Sequence, residues 1–445
     1  MSENTDKVVE TTSRHTYGTW RKQRGWKPLN IADASGAYFT DVKGRRYFDL
    51  SSQLMCSNLG HKNQAMIESI ARQAQDLAFI SPAFTCKVRA AVADKLLEVV
   101  PKGLEKFFFA TSGTEANEAA FKIARAYTGK YKIISRYRSY HGSTAGTIGA
   151  TGDLRRWSVE PSGKTEGILF APDCYCYRCP FGQQYPACGT TCATYLDYML
   201  THEKNVAAVI VEPIVGTNGI LVPTDDYLIK IREITRRHGV LLIADEVMSA
   251  WGRTGEWFAV DHWKVVPDIL TTAKGVTGAY VPLGVTVTTR EIADYFEDHT
   301  FSHGHTYEAH PLTLAPALTA IDEYRRLNLI ENARELGAHL GRRLNELKER
   351  HPSVGDVRGL GLFWAVELVK NRGSKQPFNT MDDKFAGKPL IMDTLTKEMM
   401  DRGVYVMGWI SHMVLAPPLV VTKDDLELGL KALDEVLALA DKHCS

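Results

Sequence analysis

The middle of the chain alternates apolar segments with amphipathic ones, and this alternation constrains the fold more than any other feature. KFFFA is typical of a buried strand, SGTEANEAAFKIARAYTG of a helix that ends at Gly129, and KIISRY of a second strand. The pattern is repeated by VAAVIVEP, DDYLIKIREITRRHG and LLIADEV, and DILTTA and LGVTVTT add two strands. Because strands that alternate with helices pair in parallel, we predict an α/β fold with a mainly parallel sheet covered on both faces.

The two ends of the chain have a different pattern. AYFTDVKGRRYFDL predicts a hairpin that turns at Lys43 and Gly44, and VGDVRGLGLFWAVELV predicts a second strand pair. Helical stretches follow Ile321 and close the chain. A chain of 445 residues exceeds one compact core. We therefore expect a large domain over 61–324 and a smaller α+β domain built from 1–60 and 325–445, with residues 1–17 mobile because they offer little to bury.

The charge balance argues against two classes of partner. The 53 basic and 52 acidic residues nearly cancel, so neither nucleic acid nor a membrane surface is expected. The N-terminus lacks the apolar core of a signal peptide, and no segment approaches the roughly 20 apolar residues of a membrane span. We expect a cytoplasmic protein that acts on small molecules.

Charged residues follow three of the predicted strands. Asp245 and Glu246 end LLIADEV, Glu212 follows VIV, and Lys274 follows DILTTA. Ligands of open parallel sheets bind beyond the carboxyl ends of the strands, so these groups should converge on one rim. A lysine there, among small and apolar neighbours, can be tuned to the neutral amine that forms Schiff bases. A solvent-facing loop lysine is the alternative for TTAKGVTG taken alone.

Two further segments suit a phosphorylated planar ligand. Ser112, Gly113 and Thr114 lie between a strand and a helix start, where free N–H groups and the helix dipole favour an anion, although SGTE is also an ordinary capping pattern. Tyr140 and His141 end another strand, where an aromatic side chain can stack on a ring or simply cover the rim. A phosphate site, a flat ring, an acid for a ring nitrogen and a lysine for an aldehyde together describe pyridoxal phosphate.

The same motifs resemble those of one family. LLIADEVMSAWGRTG followed by PDILTTAKGVTGAYVPLG is similar to the signature of the class III (omega) aminotransferases of fold type I, and within them to the omega-amine:pyruvate and taurine:pyruvate subgroup. FFATSGTEANEAAFKIAR, YHGST, VIVEPIVGTNG, HGHTYEAHP, VRGLGL and LAPPL follow the family in the same order, from about Tyr38 to about Asp441.

The resemblance implies a fold type I transferase that uses pyridoxal 5'-phosphate and forms a homodimer with shared active sites, which can pair into a tetramer. Lys274 would hold the cofactor covalently and then shuttle a proton, and Asp245 would keep the pyridine nitrogen protonated. The other cofactor contacts would be Tyr140 and Val247 on the two ring faces, Ser112, Gly113 and Thr114 at the phosphate, Thr306 of the partner subunit beside them, Glu212 near the ring hydroxyl, and His141.

The implied reaction is that of an omega-aminotransferase. A primary amine or omega-amino acid would give its amino group to a keto acid, with pyruvate as the expected acceptor, by a ping-pong mechanism. A decarboxylase or aminomutase with the same cofactor and fold is the alternative. A non-catalytic binding module that keeps the fold is disfavoured because both Lys274 and Asp245 are present.

The sequence departs from the family at the arginine that binds the substrate carboxylate. The two C-terminal positions that carry it in relatives are Met407 and Val414 here. A donor with an ordinary α-carboxylate is therefore disfavoured, whereas amines without a carboxylate, or with a distant acidic group, remain open. Arg253 and Arg358 lie beside glycines, and we interpret both as structural. Candidate pocket residues by position are Gln53, Leu54, Met55, Phe84, Met407, Trp409 and His412.

Five of the eight cysteines lie in CYCYRCPFGQQYPACGTTC, where Cys174 opens the segment. Cys176 and Cys179 form C-x2-C, Cys188 and Cys192 form C-x3-C, and four thiolates could bind zinc. The spacer between the pairs is shorter than in common zinc ribbons, and no histidine lies between them. We favour a surface loop of free thiols and predict no metal.

Overall fold

The computed structural model describes residues 2–162 and 165–444, and its elements fall into three consecutive groups. The first group is α1 (Ser2–His15), β1 (Ile31–Ser35), β2 (Tyr38–Asp41), β3 (Arg46–Asp49), α2 (Ser52–Met55), α3 (Gln64–Asp76) and α4 (Lys87–Leu97). The second is β4 (Leu104–Ala110), α5 (Gly113–Thr128), β5 (Lys132–Arg136), α6 (Ala145–Ala150), α7 (Leu154–Trp157), β6 (Ile168–Ala171), α8 (Thr191–His202), β7 (Val206–Val211), α9 (Tyr227–Arg237), β8 (Leu241–Asp245), β9 (Ile269–Thr272), β10 (Gly284–Thr289) and α10 (Arg290–Asp298). The third is α11 (Pro311–Arg326), α12 (Leu329–Arg350), β11 (Val354–Leu360), β12 (Phe363–Asn371), β13 (Gln376–Pro377), α13 (Met381–Phe385), α14 (Ile391–Asp401), β14 (Val404–Tyr405), β15 (Met407–Trp409), β16 (His412–Leu415) and α15 (Lys423–Asp441).

A seven-stranded sheet forms the centre of the molecule, in the order β4-β10-β9-β8-β7-β5-β6. Neighbours from β9 to β6 pair in parallel, and β10 is antiparallel to both β4 and β9. The antiparallel direction of β10 follows from the short connection between β9 and β10, because two parallel neighbouring strands need a crossover connection of a dozen or more residues. The predicted mainly parallel α/β sheet is confirmed. Strand β6, a four-residue segment, was not predicted.

The two ends of the chain meet in a second sheet, β1-β2-β3-β14, where β14 pairs in parallel with β3. The predicted hairpin is β2–β3, with Gly44 in the left-handed region at φ 82°. The predicted C-terminal strand pair is β11–β12, in a sheet of order β11-β12-β16-β15 with β13 beside β12. These pairings agree with a smaller unit drawn from both ends, and the boundaries at residues 60 and 324 stay a prediction.

The N-terminal segment that we expect to be mobile forms α1, except that Met1 lies outside the described residues. Val8 is 46% exposed and Tyr17 is 90% exposed, so these two large side chains bury little against the rest of the chain. Its mobility stays a prediction. Among residues 2–162 and 165–444, no helix is long and apolar enough to cross a membrane.

Candidate active site

Three neighbouring parallel strands, β7, β8 and β9, end on the rim of the central sheet where the site lies. Glu212 follows β7 directly, Asp245 is the last residue of β8, and Lys274 comes two residues after β9. The charges of Asp245 and Glu212 both act on the Lys274 amine. The structure thus brings together three of the four charged residues that the strand pattern placed there, whereas Glu246 lies in the core.

Lys274 is half-buried and begins a one-turn 3₁₀ helix with its backbone in the left-handed region, φ 48°. Burial lowers the pKa of its amine below the ordinary value. Within the described residues, no hydrogen bond or ion pair engages the amine. A lysine that is partly desolvated and unpartnered is suited to act as a neutral amine nucleophile.

The glycine after this lysine has a packing role that the sequence did not reveal. A Cβ added to Gly275 would lie 2.6 Å from Trp251 Cβ and 2.7 Å from Asn58 Nδ2. The Gly275 carbonyl also accepts a hydrogen bond from the buried Tyr324 hydroxyl at 2.7 Å. Gly275 therefore packs the turn closely against an aromatic core, and this packing fixes the position of the Lys274 backbone.

Asp245 is buried and held by three donors. Its Oδ2 accepts from Asn117 Nδ2 at 2.8 Å and lies 2.7 Å from His141 Nδ1, and its Oδ1 accepts from the Val247 N–H at 3.0 Å. A carboxylate only accepts, so Nδ1 carries the histidine proton. The buried His141 Nε2 has no hydrogen-bond partner among the described residues. In the structure, His141 therefore orients Asp245, and its contact with the cofactor stays a prediction.

Asn117 was missed by the sequence-based prediction. It is buried on α5, donates to Asp245 Oδ2 and to the His141 carbonyl, and its own Oδ1 accepts from Thr271 Oγ1 at 2.7 Å. The sequence signal that could have identified Asn117 is its position as a polar residue on the otherwise alanine-rich buried face of the helix. Such a residue needs partners, because burying an unpaired amide costs free energy.

Glu212 is buried and fixes the backbone of the tyrosine above the rim. Its Oε1 accepts from the Tyr140 N–H at 3.0 Å and its Oε2 from the Gly216 N–H at 2.8 Å. Burial raises the pKa of this carboxyl. Glu246, beside Asp245, instead enters the core, where it accepts from the Ser249 hydroxyl and from the Val260 N–H at 2.8 Å.

The start of α5 lies against this rim. The Ser112 hydroxyl caps the helix by accepting from the Glu115 N–H, so the capping interpretation of SGTE is confirmed. The N–H groups of Gly113 and Thr114 have no acceptor among the described residues and remain available to an anion. A Cβ on Gly113 would lie 2.8 Å from Val247 Cγ2, so only glycine lets the helix end approach Val247 this closely.

The Thr114 hydroxyl is engaged elsewhere. It lies 2.7 Å from Thr147 Oγ1 and 2.9 Å from Thr144 Oγ1, and it accepts from the Ser143 N–H at 3.1 Å. Thr306 is exposed on a loop, and the neighbouring His305 lies 3.8 Å from Glu115 in the first turn of α5. The roles of Thr114 and Thr306 at a phosphate stay predictions.

An aromatic wall surrounds one buried arginine that the sequence-based prediction also missed. The guanidinium carbon of Arg155, on α7, lies 4.4 Å from the Tyr140 ring centroid, 4.2 Å from that of Trp409 and 5.5 Å from that of Trp20. Trp20 meets Tyr140 edge-to-face at 6.4 Å. The positive charge of Arg155 reaches Lys274, where it contributes to the lowered pKa.

The pocket residues predicted by position have different environments. Leu54 and Phe84 are each 62% exposed, whereas Met55 is buried. Gln53 donates to Asp49 at 2.8 Å, and His412 lies 2.9 Å from the Thr217 carbonyl. Burial lowers the pKa of His412 to about 4, so this side chain is neutral at physiological pH.

The two positions that carry arginine in relatives form a strand pair. Met407 on β15 is half-buried and pairs with Val414 on β16, whose side chain packs in the core. Trp409 is buried, and its indole N–H donates to Asn218 Oδ1 at 2.9 Å. Residues 407 and 414 therefore supply no cation, and two cations from other elements, Arg155 and Lys384, lie against the Trp409 ring.

The structural interpretation of the two other arginines is confirmed. Arg253 is fully buried and donates to the Leu362 and Pro417 carbonyls and to Asn58 Oδ1. Arg358 donates to the Gly219 carbonyl at 2.7 Å and pairs with Asp356 and Glu367, each at 2.8 Å. Both guanidinium groups connect loops to strands.

The cysteine segment forms a small separate cluster. The structure has all eight cysteines as free thiols, and five of them line one cavity of about 20 Å³. A hydrogen bond from Cys192 lowers the pKa of the Cys174 thiol. Within the described residues, no group of three or more histidine, cysteine or acidic side chains is arranged to hold a metal ion. The five thiols lining this cavity are Cys174, Cys176, Cys179, Cys188 and Cys192.

The residues on the rim fit pyridoxal phosphate. Each carboxylate oxygen can accept two hydrogen bonds, so Asp245 Oδ1, which accepts one from Val247, keeps a position for a protonated ring nitrogen. Lys274 offers an unpartnered amine for the aldehyde, and the free N–H groups at the start of α5 suit the phosphate. The roles of Tyr140 and Val247 on the two faces of the cofactor ring stay predictions.

Comparisons with known proteins agree with this geometry. Residues 21–437 match the family model for aminotransferase class-III. The chain is 39% identical to the uncharacterized aminotransferase YhxA of Bacillus subtilis, over 90% of each chain, and 31% identical to the taurine–pyruvate aminotransferase of Bilophila wadsworthia, over 99% of this chain and 98% of that one. The solved taurine:2-oxoglutarate aminotransferase of Bifidobacterium kashiwanohense, in complex with PLP and glutamate, has a TM-score of 0.93 at 36% identity, with 98% of each chain covered. The chain therefore belongs to the class-III aminotransferases, enzymes that use pyridoxal phosphate to transfer amino groups.

Proposed function

We propose that this enzyme moves the amino group of a primary amine or omega-amino acid to a keto acid, with pyruvate as acceptor, in two half-reactions. The observation that carries the proposal is the half-buried Lys274 amine, free of partners and on one rim with Asp245. The taurine–pyruvate relative supports an amine donor of this kind and pyruvate as acceptor. Met407 and Val414 in place of arginine support a donor without an ordinary α-carboxylate.

Bound pyridoxal phosphate supplies an electron sink for the bonds at the substrate carbon. The protein residues do the remaining work. Lys274 would hold the aldehyde of the bound cofactor, and its neutral amine, once released, would act as the base that moves the proton of the substrate carbon. Asp245 would hold the proton of the ring nitrogen, and Asn117 and His141 keep its carboxylate in place.

The test is the Lys274→Ala variant. We expect it to bind the cofactor without a covalent link and to lose turnover by at least about 100-fold, because it lacks the general base. The measurement is the loss of visible cofactor absorbance when amine alone is added, followed by its recovery with pyruvate. Lys397→Ala, which removes a lysine paired with Asp401 and 72% exposed, is the matched control. Substantial turnover by Lys274→Ala, or carbon dioxide release without an acceptor, contradicts the proposal.

We also propose a cytoplasmic homodimer with shared active sites, in which Thr306 of the partner subunit reaches the phosphate. Support comes from apolar side chains exposed near this loop, since large exposed patches mark interfaces. Phe84 is 62% exposed, Tyr307 is 59% exposed, and Phe79 is 43% exposed and meets Tyr307 at 6.1 Å. Unpaired cysteines support a reducing compartment.

Mixing subunits tests the shared site. Lys274→Ala and Thr306→Ala chains, each of low activity alone, should regain up to about a quarter of wild-type activity when reassembled together, because a mixed dimer contains one intact site. A monomer in light scattering, or no recovery on mixing, contradicts the shared-site dimer.

A further inference from the structure

The cavity lined by five thiols lies apart from the rim and contains nucleophiles that amino-group transfer does not use. Its volume of about 20 Å³ holds one molecule of about the size of water. Cys176 is exposed, Cys192 is half-buried and Cys174 is only 4% exposed, so the cavity connects the surface to an interior sulfur. A small oxidant such as hydrogen peroxide can therefore reach Cys174, whereas a peptide disulfide is too large to enter.

The groups around Cys174 favour its thiolate. The Cys192 thiol donates a hydrogen bond to the Cys174 sulfur, and Thr224 supplies its backbone N–H and its hydroxyl, whose oxygen lies 3.9 Å from that sulfur. The positive charge of the buried Arg136 acts on the same sulfur, and its Nε has no hydrogen-bond partner among the described residues. These contacts outweigh burial and lower the pKa of the Cys174 thiol to about 6. The thiolate is the form of cysteine that attacks peroxides.

Two neighbouring thiols are shifted in the opposite direction. The hydrogen bond to Cys174 raises the pKa of the Cys192 thiol, and burial together with the negative charge of Cys174 raises the pKa of Cys176 to about 11. Cys192 and Cys176 therefore stay protonated beside a thiolate at neutral pH. A reactive thiolate with a protonated thiol next to it is typical of an attacking cysteine and the cysteine that resolves it.

The fold holds the sulfurs of Cys174 and Cys192 together from two different elements. Cys174 follows β6, Cys192 is the second residue of α8, and both pack in the same apolar cluster. The chain beside Cys174 is fixed, because the Tyr175 hydroxyl and Arg178 Nε both donate to Glu367 on β12, the latter at 2.8 Å. The contact between the two sulfurs is therefore part of a rigid arrangement, which favours a bond between this pair.

We propose that Cys174 and Cys192 form a reversible oxidation site, at which hydrogen peroxide converts the two thiols to a disulfide. The Cys174 sulfur attacks one peroxide oxygen, so that an S–O bond forms, the O–O bond breaks and hydroxide leaves. The Cys192 sulfur then attacks the oxidised sulfur, the S–S bond forms, and the hydroxyl group leaves as water with the Cys192 proton. Two thiols are oxidised and one peroxide is reduced to two molecules of water. A dithiol reverses the change by thiol–disulfide exchange. The site is independent of the proposed function.

The test maps the cysteines of intact holoenzyme. The protein is freed of reductant, treated with equimolar hydrogen peroxide at neutral pH, alkylated at its remaining thiols and analysed by peptide mass spectrometry. We expect a cross-linked peptide pair that joins Cys174 to Cys192, with the loss of two hydrogens, and its disappearance after dithiothreitol. Cys86→Ser, which removes a half-buried thiol outside the cluster, should give the same bridge as wild type. The absence of a bridge in wild type, or a bridge between other cysteines, overturns the proposal.

Substitutions within the cluster assign the two roles. Cys192→Ser keeps a donor beside Cys174 and removes the second sulfur, so oxidation should stop at a Cys174 sulfenic acid, which dimedone labels. Cys174→Ala should lose both the bridge and the label, and Cys176→Ser should keep the bridge. A label on another cysteine in Cys192→Ser, or loss of the bridge in Cys176→Ser, contradicts the assignment. Neither the wild-type bridge nor the Cys192→Ser label depends on whether Cys174→Ala folds. Stoichiometric zinc in protein purified without added metal would also overturn the proposal, because it would make the thiols metal ligands.

Discussion

Glu246 lies beside the site carboxylate Asp245 but in a different environment, and this contrast makes a sharp prediction. Its side chain is fully buried and accepts hydrogen bonds from the Ser249 hydroxyl and the Val260 N–H. Burial raises its pKa from 4.5 to about 7. At about 1.4 kcal/mol per pKa unit, the difference between folded and unfolded chains corresponds to about 3 kcal/mol.

The sign follows from which state binds more protons. Between pH 4.5 and pH 7 the folded chain keeps the Glu246 proton and the unfolded chain loses it. The stabilisation is therefore complete below pH 4.5 and disappears as the pH rises through 7. Glu246→Gln resembles the protonated acid at every pH, so it removes this dependence.

The assay is urea unfolding of wild type and Glu246→Gln at several pH values. We expect the free energy of unfolding of wild type, relative to the variant, to fall by about 2.5 kcal/mol between pH 5 and pH 8. Subtracting the free energy of unfolding of the variant from that of wild type cancels the pH dependence of all titratable groups that the two chains share. The same substitution at the exposed Glu335 should leave the pH profile unchanged. A pH-independent difference between wild type and Glu246→Gln would refute a neutral buried acid at this position.

Two further predictions concern the site. Asp245→Asn should still bind the cofactor but lower the rate of the amine half-reaction by at least about 100-fold. The amide leaves the ring nitrogen unprotonated and presents N–H groups to Asn117, which is itself a donor. Single-turnover absorbance measures the rate, and a near-normal rate would contradict the role of Asp245. In Gly284→Ala, the new Cβ would lie 2.2 Å from the Ser112 carbonyl oxygen, so the start of α5 must move. Thermal unfolding with and without cofactor should show a loss of about 1–3 kcal/mol in stability and a smaller shift on adding cofactor, and an unchanged response would refute this packing argument.

The fold and the charged rim were accessible from sequence because both follow from local pattern. Parallel strands place their carboxyl ends at one edge, so Glu212, Asp245 and Lys274 could be assigned to one rim without knowing any contact. The same reasoning fails for Trp20 and Arg155, which approach Tyr140 from segments far apart in the chain. The contacts of Trp20 and Arg155 with Tyr140 depend on how surface segments pack over the sheet, and the local periodicity of the sequence does not predict this packing.

Two neighbouring residues of one sequence motif can have different structural roles, so a motif alone does not assign the role of each residue. Tyr140 and His141 are adjacent, yet the tyrosine ring faces Arg155 and the histidine turns inward to Asp245. Tyr140 and His141 lie in the loop that follows β5, which ends at Arg136, and these neighbouring side chains have different partners, one on the rim and one behind it. Asp245 and Glu246 obey the same geometry.

The two C-terminal positions that carry arginine in relatives are Met407 and Val414 here, although Lys274 and Asp245 are kept. Val414 packs in the core, and the structure offers the space beside Trp409 to a cation from another element, Arg155 on α7. Binding an anionic tail requires only a positive group with free donors at the correct distance from the amine, and any element that borders the pocket can supply it. Lys274 and Asp245 have no such freedom, because the amine and the ring-nitrogen acid must meet one rigid cofactor from adjacent strands. The positions of Lys274 and Asp245 are therefore set by the sheet, whereas Arg155 is placed by a short helix packed over it.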